Sequence, residues 1–142
     1  MKKDRFHDSR STLQLPLLLD RPEARAIDCF DFPFEHLSVI AEHESWRKEI
    51  NRPTYHIHKW WAQRLGSVFR AIVLATFAPH DADILKLFYE QARISNKIVF
   101  DPFMGSGTTV GEAIKLGVRA IGKDINPVAY FLVKNGLSIP PR

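Results

Sequence analysis

Two acids, Asp101 and Asp124, are the residues whose types and placement first suggest chemistry. Each ends a short apolar run, and "PFMGSGTTVGEAIKLGVRAIGK" lies between them. Gly105 and Gly107 carry no Cβ, so the backbone of "GSG" can approach a ligand closely, and a larger residue at 107 would collide or be strained. A helix starting near Thr108 turns its free N–H groups toward the same spot. Asp124 follows Gly105 by nineteen residues, the spacing at which an acid accepts hydrogen bonds from a ribose. The layout reads as a nucleoside site.

The choice of nucleoside follows by elimination. A dinucleotide fingerprint needs a glycine at position 110, which is Val110, and the third glycine arrives late at Gly111. Asp101 at the entry of the turn would repel a pyrophosphate. A phosphate-binding loop needs a lysine before its threonine, and Ser106 and Thr108 flank Gly107 without one. A ligand with no phosphate and a cationic amino-acid tail fits better. S-adenosyl-L-methionine has a ribose for Asp124, and its sulfonium and ammonium tolerate Asp101.

The elements that must hold these residues can be read from periodicity. Ile98, Val99 and Phe100 predict a strand buried on both faces. Thr108 to Leu116 predicts a helix stopped by Gly117, Val118 to Ile121 a second buried strand, and Asn126–Pro127 the opening of a further helix ending at Gly136. Strand, turn, helix and strand within about thirty residues make a βαβ unit with parallel strands. Upstream, a helix is predicted at about 35–48, stopped by Asn51–Arg52–Pro53, with Thr54 as a cap for the next. Residues 57–77 read as one long helix, because Trp61, Leu65, Val68, Ile72 and Ala75 recur at spacings of three and four. Asp81–Gln91 reads as an amphipathic helix with Ile84, Leu85, Leu87 and Phe88 inward, and Ser95–Asn96 as a turn. Three segments result: a flexible arm over 1–27, a helical lead-in over 28–96 carrying "HIHKWWAQR", and an incomplete βαβ unit of a cofactor-binding domain over 97–142.

At this point a resemblance becomes specific. "DPFMGSGTT" closely resembles the cofactor motif of DNA methyltransferases that modify exocyclic amino groups, N6 of adenine or N4 of cytosine. "IGKDINPVAY" resembles their strand-two segment, and "DFPFEHLSVIAEHESWRKEINRPTYHIHKWWAQR" the opening of large bacterial adenine-specific methylases. The resemblance covers roughly residues 28–137 and implies an α/β, Rossmann-like methyltransferase fold, of which this is the N-terminal portion, binding S-adenosyl-L-methionine and acting on DNA. By that resemblance Asp101, Pro102, Phe103, Met104, Gly105, Ser106, Gly107, Thr108 and Thr109 line the methionine side. Asp124 takes the ribose hydroxyls, Ile125 packs on the adenine, and His58 and Lys59 lie near the cofactor carboxylate. Gln63 stands where the related stretch has arginine.

Family members also carry an Asp/Asn/Ser-Pro-Pro-aromatic element after strand four, which holds the flipped target base. Three stretches imitate it poorly: Asp31–Phe34 lacks the first proline, Asn126–Tyr130 has the wrong spacing, and Ile139–Arg142 lacks both the polar and the aromatic residue. The catalytic residues are therefore unassigned. The expectation is a methyltransferase truncated or split before that element, inactive alone, marginally stable, and completed by a complementary chain or a C-terminal part. The alternatives are an RNA methyltransferase, or a non-catalytic subunit or gene remnant.

Simpler roles stand beside these. His56-x-His58 has no further ligand cluster nearby, so a structural or cofactor-side role is favoured over a metal site. One of Trp60 and Trp61 should pack into the core, since adjacent helical residues point about 100° apart. Ser106 and Thr108 have no histidine partner and suit hydrogen bonding at the helix start. The 142 residues fit one small domain, and a hydrophobic content of 45% supports a core. The net charge of +4 permits a polyanionic partner. From Glu42 to Arg70 six Lys/Arg stand against three Glu, among Trp46, Tyr55, Trp60, Trp61 and Phe69, which suits stacking and phosphate contacts as well as a half-buried helix. The single cysteine, Cys29, excludes an internal disulfide and points to a reducing, cytoplasmic compartment. The N-terminal leucine run is too short for a signal peptide, contains Pro16 and is followed at once by Asp20 and Arg21. The run Ala71–Pro79 is far below the roughly 20 residues of a membrane span.

Overall fold

The structure is a computed structural model that describes residues 24–46, 58–90 and 92–137. The leucine run, the helix stop at Asn51–Pro53, Thr54, His56 and Ile139–Arg142 lie outside these residues.

The parallel pair forms where the apolar runs predict it. Strand β1 is Ile98–Asp101 and strand β2 is Arg119–Gly122. They run parallel, with Ile98 opposite Arg119, Val99 opposite Ala120, Phe100 opposite Ile121 and Asp101 opposite Gly122. Parallel neighbours need a crossover, here the helix Thr108–Lys115. Its end is set by Gly117 at φ 78°. The Gly117 N–H donates to the Ile114 carbonyl (2.9 Å) and the Val118 N–H to the Ala113 carbonyl (2.9 Å), the paired bonds of a left-handed helix stop. A following helix, Pro127–Leu137, is capped by Asn126, whose Oδ1 accepts from the Val128 N–H at 2.9 Å.

Register decides which residues share a face, because side chains alternate along a strand. Val99 and Ala120 face the crossover helix and join a core of Val73, Leu74, Ala113, Leu116 and Val118. Ile98, Phe100 and Ile121 face the other way and remain 53%, 59% and 52% exposed. The expected burial of both strand faces is therefore not met among the described residues. The helices that feed this core, the crossover helix and Gly66–Phe77, both lie on the Val99 side.

Upstream, Phe34–Trp46 forms a helix close to the predicted one. The single helix predicted over 57–77 is not found. The helix begins at Gly66 and runs to Phe77, and residues 58–65 form a turn and loop in front of it. The reason is a cap supplied from another helix. The Glu44 carboxylate accepts from the Gly66 N–H (2.9 Å), the Ser67 N–H (2.9 Å) and the Ser67 hydroxyl (2.5 Å), satisfying first-turn donors that have no intrahelical acceptor. Gly66 is thus at a helix start and not in an interior. The buried face is also rotated from the predicted stripe. Ala71, Val73, Leu74 and Ala75 are buried, while Ile72 lies outward. Small residues are placed where Phe34–Trp46, the crossover helix and Ile84–Tyr89 all approach. Glu44→Ala is expected to lower the unfolding free energy by about 1–2 kcal/mol, the usual worth of a lost cap and its charged hydrogen bonds. Urea denaturation that gave the wild-type midpoint would contradict this role.

The short helix Ile84–Tyr89 starts at Asp83, whose Oδ1 accepts from the Lys86 N–H at 3.0 Å. Arg70 holds its far end, donating from Nε to the Phe88 carbonyl (3.1 Å) and from Nη2 to the Glu90 carbonyl (3.2 Å). Within the span predicted as a flexible arm, Ala24 and Ala26 are buried, and the Ala26 N–H donates to the Ala78 carbonyl at 3.2 Å. Asn96, in the predicted turn, takes a left-handed conformation at φ 59°.

Candidate functional site

The strand ends build the site. Past β1, the Lys123 N–H donates to the Asp101 carbonyl (2.9 Å) and the Met104 N–H to the Lys123 carbonyl (3.0 Å), so the two chains stay paired beyond the sheet. The Asp101 carboxylate turns back to accept from the Phe103 N–H at 3.0 Å. Gly105, at φ 50°, then donates its N–H to Asp124 Oδ2 at 2.8 Å. This bond joins the turn after β1 to the acid after β2, and it is the closest geometric link between the two segments singled out in the sequence. Asp124 Oδ1 accepts from the Asn126 N–H at 2.8 Å. The Asn126 and Gly105 N–H groups hold the Asp124 carboxyl below its ordinary carboxylate value, against a smaller opposing effect of desolvation.

The turn closes at Gly107, whose φ of 78° suits glycine, and whose N–H donates to the Met104 carbonyl at 2.7 Å. Its near neighbour is protein: an added Cβ would stand 2.5 Å from Val133 Cγ2 in the helix Pro127–Leu137. Ser106 Oγ and Thr108 Oγ1 lie 3.3 Å apart, and the Thr108 hydroxyl reaches the Arg64 carbonyl at 3.5 Å. Neither hydroxyl caps the crossover helix, whose N-cap is Gly107 with no side-chain hydrogen bond; they bond to each other and to the loop in front of Gly66 instead. Thr109 is half-buried in the first turn of the crossover helix.

The other predicted site residues divide into two groups. Pro102 is exposed, Phe103 is 85% exposed and Ile125 is fully exposed, so these side chains line the outside of the turn. Met104 is buried instead, packed where a Cβ on Gly122 would meet its Sδ, and it supports the turn from below.

The loop 58–65 also comes to this place. Its point of contact is Trp60, whose Nε1 is 3.6 Å from where a Cβ of Gly105 would stand. His58 lies against Trp60 with ring centroids 6.2 Å apart, and Lys59 Nζ sits 4.1 Å from the Trp61 ring centroid. Neither tryptophan enters the core as expected. Both fall in the loop rather than on a helix, Trp60 half-buried on the turn and Trp61 outward. The contacts of Trp60, Arg64 and Val133 with the turn were not foreseen. The adjacent tryptophans were visible in the sequence, but their assignment to a helix removed any reason to place them at the turn.

Asp31–Phe34 runs into a helix, and Asn126–Tyr130 opens one after β2; neither follows a further strand. Among the described residues no group of three His, Cys, Asp or Glu gathers as for a metal ion, and no helix is long and apolar enough to cross a membrane.

Comparison with known proteins places this geometry in context. A family model described as DNA methylase matches residues 38–135. The chain is 40% identical over 45 residues to the Type II methyltransferase M.MvaI of Kocuria varians, covering 32% of this chain and 10% of that protein. It is 53% identical over 30 residues to the Type II methyltransferase M.MjaII of Methanocaldococcus jannaschii, covering 21% of this chain and 6% of that protein. The matched chain thus spans a tenth or less of these curated relatives. No solved structure gives a significant match.

Proposed function

This chain belongs to the N6/N4 DNA methyltransferase family, and from that premise we propose that residues 97–137 are the cofactor-binding front of a Rossmann-like fold that holds S-adenosyl-L-methionine for methylation of an exocyclic amino group of adenine or cytosine in DNA. The observation that supports the reading is the 2.8 Å bond from the Gly105 N–H to Asp124 Oδ2, which joins the glycine turn after β1 to the acid after β2 at one end of a parallel pair. Ligands of open parallel sheets sit beyond this end of the strands.

The residues suit the ligand chemically. A carboxylate has about four lone-pair sites, so Asp124 can accept from ribose hydroxyls while keeping its two N–H partners. Ile125 stands clear of the protein and offers an apolar surface to an adenine. Asp101 offsets positive charge on the methionine side, where Pro102, Phe103, Gly105, Ser106, Gly107, Thr108 and Thr109 form the turn and Met104 supports it. His58 approaches this end of the site through its contact with Trp60, while the Lys59 ammonium lies over the outward Trp61 and would have to swing in to meet a ligand carboxylate. When bound, S-adenosyl-L-methionine supplies a methyl group activated by its sulfonium.

The acceptor base is held by polypeptide outside the described residues, a complementary chain or a C-terminal part. The exposed Ile98, Phe100 and Ile121 support this, since a bare apolar strand face and open edges call for a covering layer. The enzyme would act in the cytoplasm. Calorimetry of the chain with S-adenosylhomocysteine and with NAD tests the proposal. Binding of the first and not the second is expected, and equal affinity for NAD would replace the methyltransferase reading with a dinucleotide site.

A further inference from the structure

Trp61 stands 85% exposed in a turn that is itself anchored. The Gln63 N–H donates to the Trp60 carbonyl at 3.1 Å, which makes Trp61 and Ala62 the tip of that turn. Just before the tip, Trp60 rests its indole on Gly105, 3.6 Å from where a Cβ would stand. Just after it, the Arg64 carbonyl accepts from the Thr108 hydroxyl at 3.5 Å. The chain on both sides of Trp61 therefore touches the glycine turn and the helix that follows it, which keeps the exposed ring beside the site.

One face of the ring carries a cation. The Lys59 ammonium lies 4.1 Å from its centroid, drawn by the negative face of the indole. Among the described residues Lys59 has no carboxylate partner, and no second ring meets Trp61. Residues 58–65 include His58, Lys59 and Arg64 and no acid. The acids of the site are engaged elsewhere, Asp101 with the Phe103 N–H and Asp124 with those of Gly105 and Asn126. The surface is an aromatic plane with a charged amine beside it. A partner that fits both is an anion that carries flat rings, and DNA has both parts: bases stack on an aromatic side chain whatever their sequence, and phosphates pair with lysine. An apolar protein surface would cover the ring and leave Lys59 buried without a counter-charge, which is costly.

We propose that Lys59 and Trp61 form a DNA contact at the rim of the site, with an unstacked base on the open face of the indole and a neighbouring phosphate on the Lys59 ammonium. The proposal rests on the DNA methyltransferase reading given above and deepens it. It moves Lys59 from the cofactor to the DNA, and it separates the two tryptophans by task, Trp60 against the glycine turn and Trp61 toward the substrate.

The test is fluorescence anisotropy of a labelled DNA oligonucleotide, single-stranded or fully paired, titrated at low salt with the 142-residue chain. Trp61→Ala should weaken the single strand about tenfold, as for the loss of one stacked base, and the duplex less, because its bases already stack on each other. Trp61→Phe keeps a ring and should recover most of that loss. Lys59→Gln should weaken both forms and make the salt dependence shallower by about one phosphate, a slope change of about 0.7 for the single strand. By calorimetry both Trp61→Ala and Lys59→Gln should bind S-adenosylhomocysteine like the wild type. Wild-type DNA affinity in Trp61→Ala, or a wild-type chain that binds neither DNA form, overturns the proposal. So does a Lys59→Gln chain that loses S-adenosylhomocysteine and keeps DNA, which returns Lys59 to the cofactor carboxylate. Self-association that Trp61→Ala abolishes, with DNA binding unchanged, makes the ring a protein interface and overturns it as well. A wild-type chain that binds DNA through these residues but not S-adenosylhomocysteine strikes the cofactor reading alone.

Discussion

Gly107→Val is expected to lower the unfolding free energy by about 3–5 kcal/mol, combining a strained backbone with an overpacked contact. The backbone part comes from φ 78°, which a β-branched residue adopts at high cost. The packing part comes from Val133, whose Cγ2 would lie 2.5 Å from the new Cβ. The two parts can be separated. Val133→Ala removes the methyl groups that clash but not the dihedral cost, so the double variant should regain roughly half of the loss. Urea unfolding of the four proteins measures both parts. A wild-type midpoint for Gly107→Val would show that the turn and the helix Pro127–Leu137 are not in contact as described. The glycine rule in the sequence was sound, but it assigned the space beside Gly107 to a ligand. The structure gives that space to a helix side chain.

Asp124→Ala should weaken S-adenosylhomocysteine about ten- to a hundredfold, the range for a hydrogen bond to a charged acceptor. The loss has two sources: the ribose acceptor disappears, and the Gly105 N–H loses the carboxylate that aims the turn. The ionised form is favoured by the Asn126 and Gly105 N–H groups, so the folded-state value is depressed. A depressed acid stabilises the fold at pH above its unfolded value and loses that contribution as pH falls through the folded one. The wild-type chain should therefore lose stability on acidification below the ordinary carboxylate range, and Asp124→Asn should remove part of that slope. Calorimetric titration reads the affinity, and thermal melts across pH read the slope. Equal affinity in Asp124→Ala and wild type would withdraw the ribose assignment.

Local signals carried the βαβ segment well. Apolar runs, Gly117 and Asn126–Pro127 place both strands, the crossover and the start of the following helix within a residue or two, because each boundary is set by chemistry inside its own segment. The 57–77 stretch went differently. Its helical periodicity continues through 58–65, but the helix start at Gly66 is fixed by Glu44, more than twenty residues upstream. A cap donated from a distant helix leaves no trace in a local window. The same limit explains the strand faces: Ile98 and Phe100 read as buried because composition reports what a face can bury, and coverage depends on which elements pack there. At the site, the spacing put the glycine turn and Asp124 at the same strand ends, but their direct bond, like the contacts of Trp60 and Val133 with the turn, comes from tertiary packing.

The bond between Gly105 and Asp124 has a kinetic signature. An amide in an irregular loop normally exchanges its hydrogen with solvent almost freely, because little structure must open first. The Gly105 amide is different, since its proton is released only when the end of β2 parts from the turn after β1. Its exchange rate is therefore a clock for that parting, set by a contact between residues 19 apart. Anything that clamps the two strand ends together, from a bound nucleoside to a covering polypeptide, would slow it without changing a single helix.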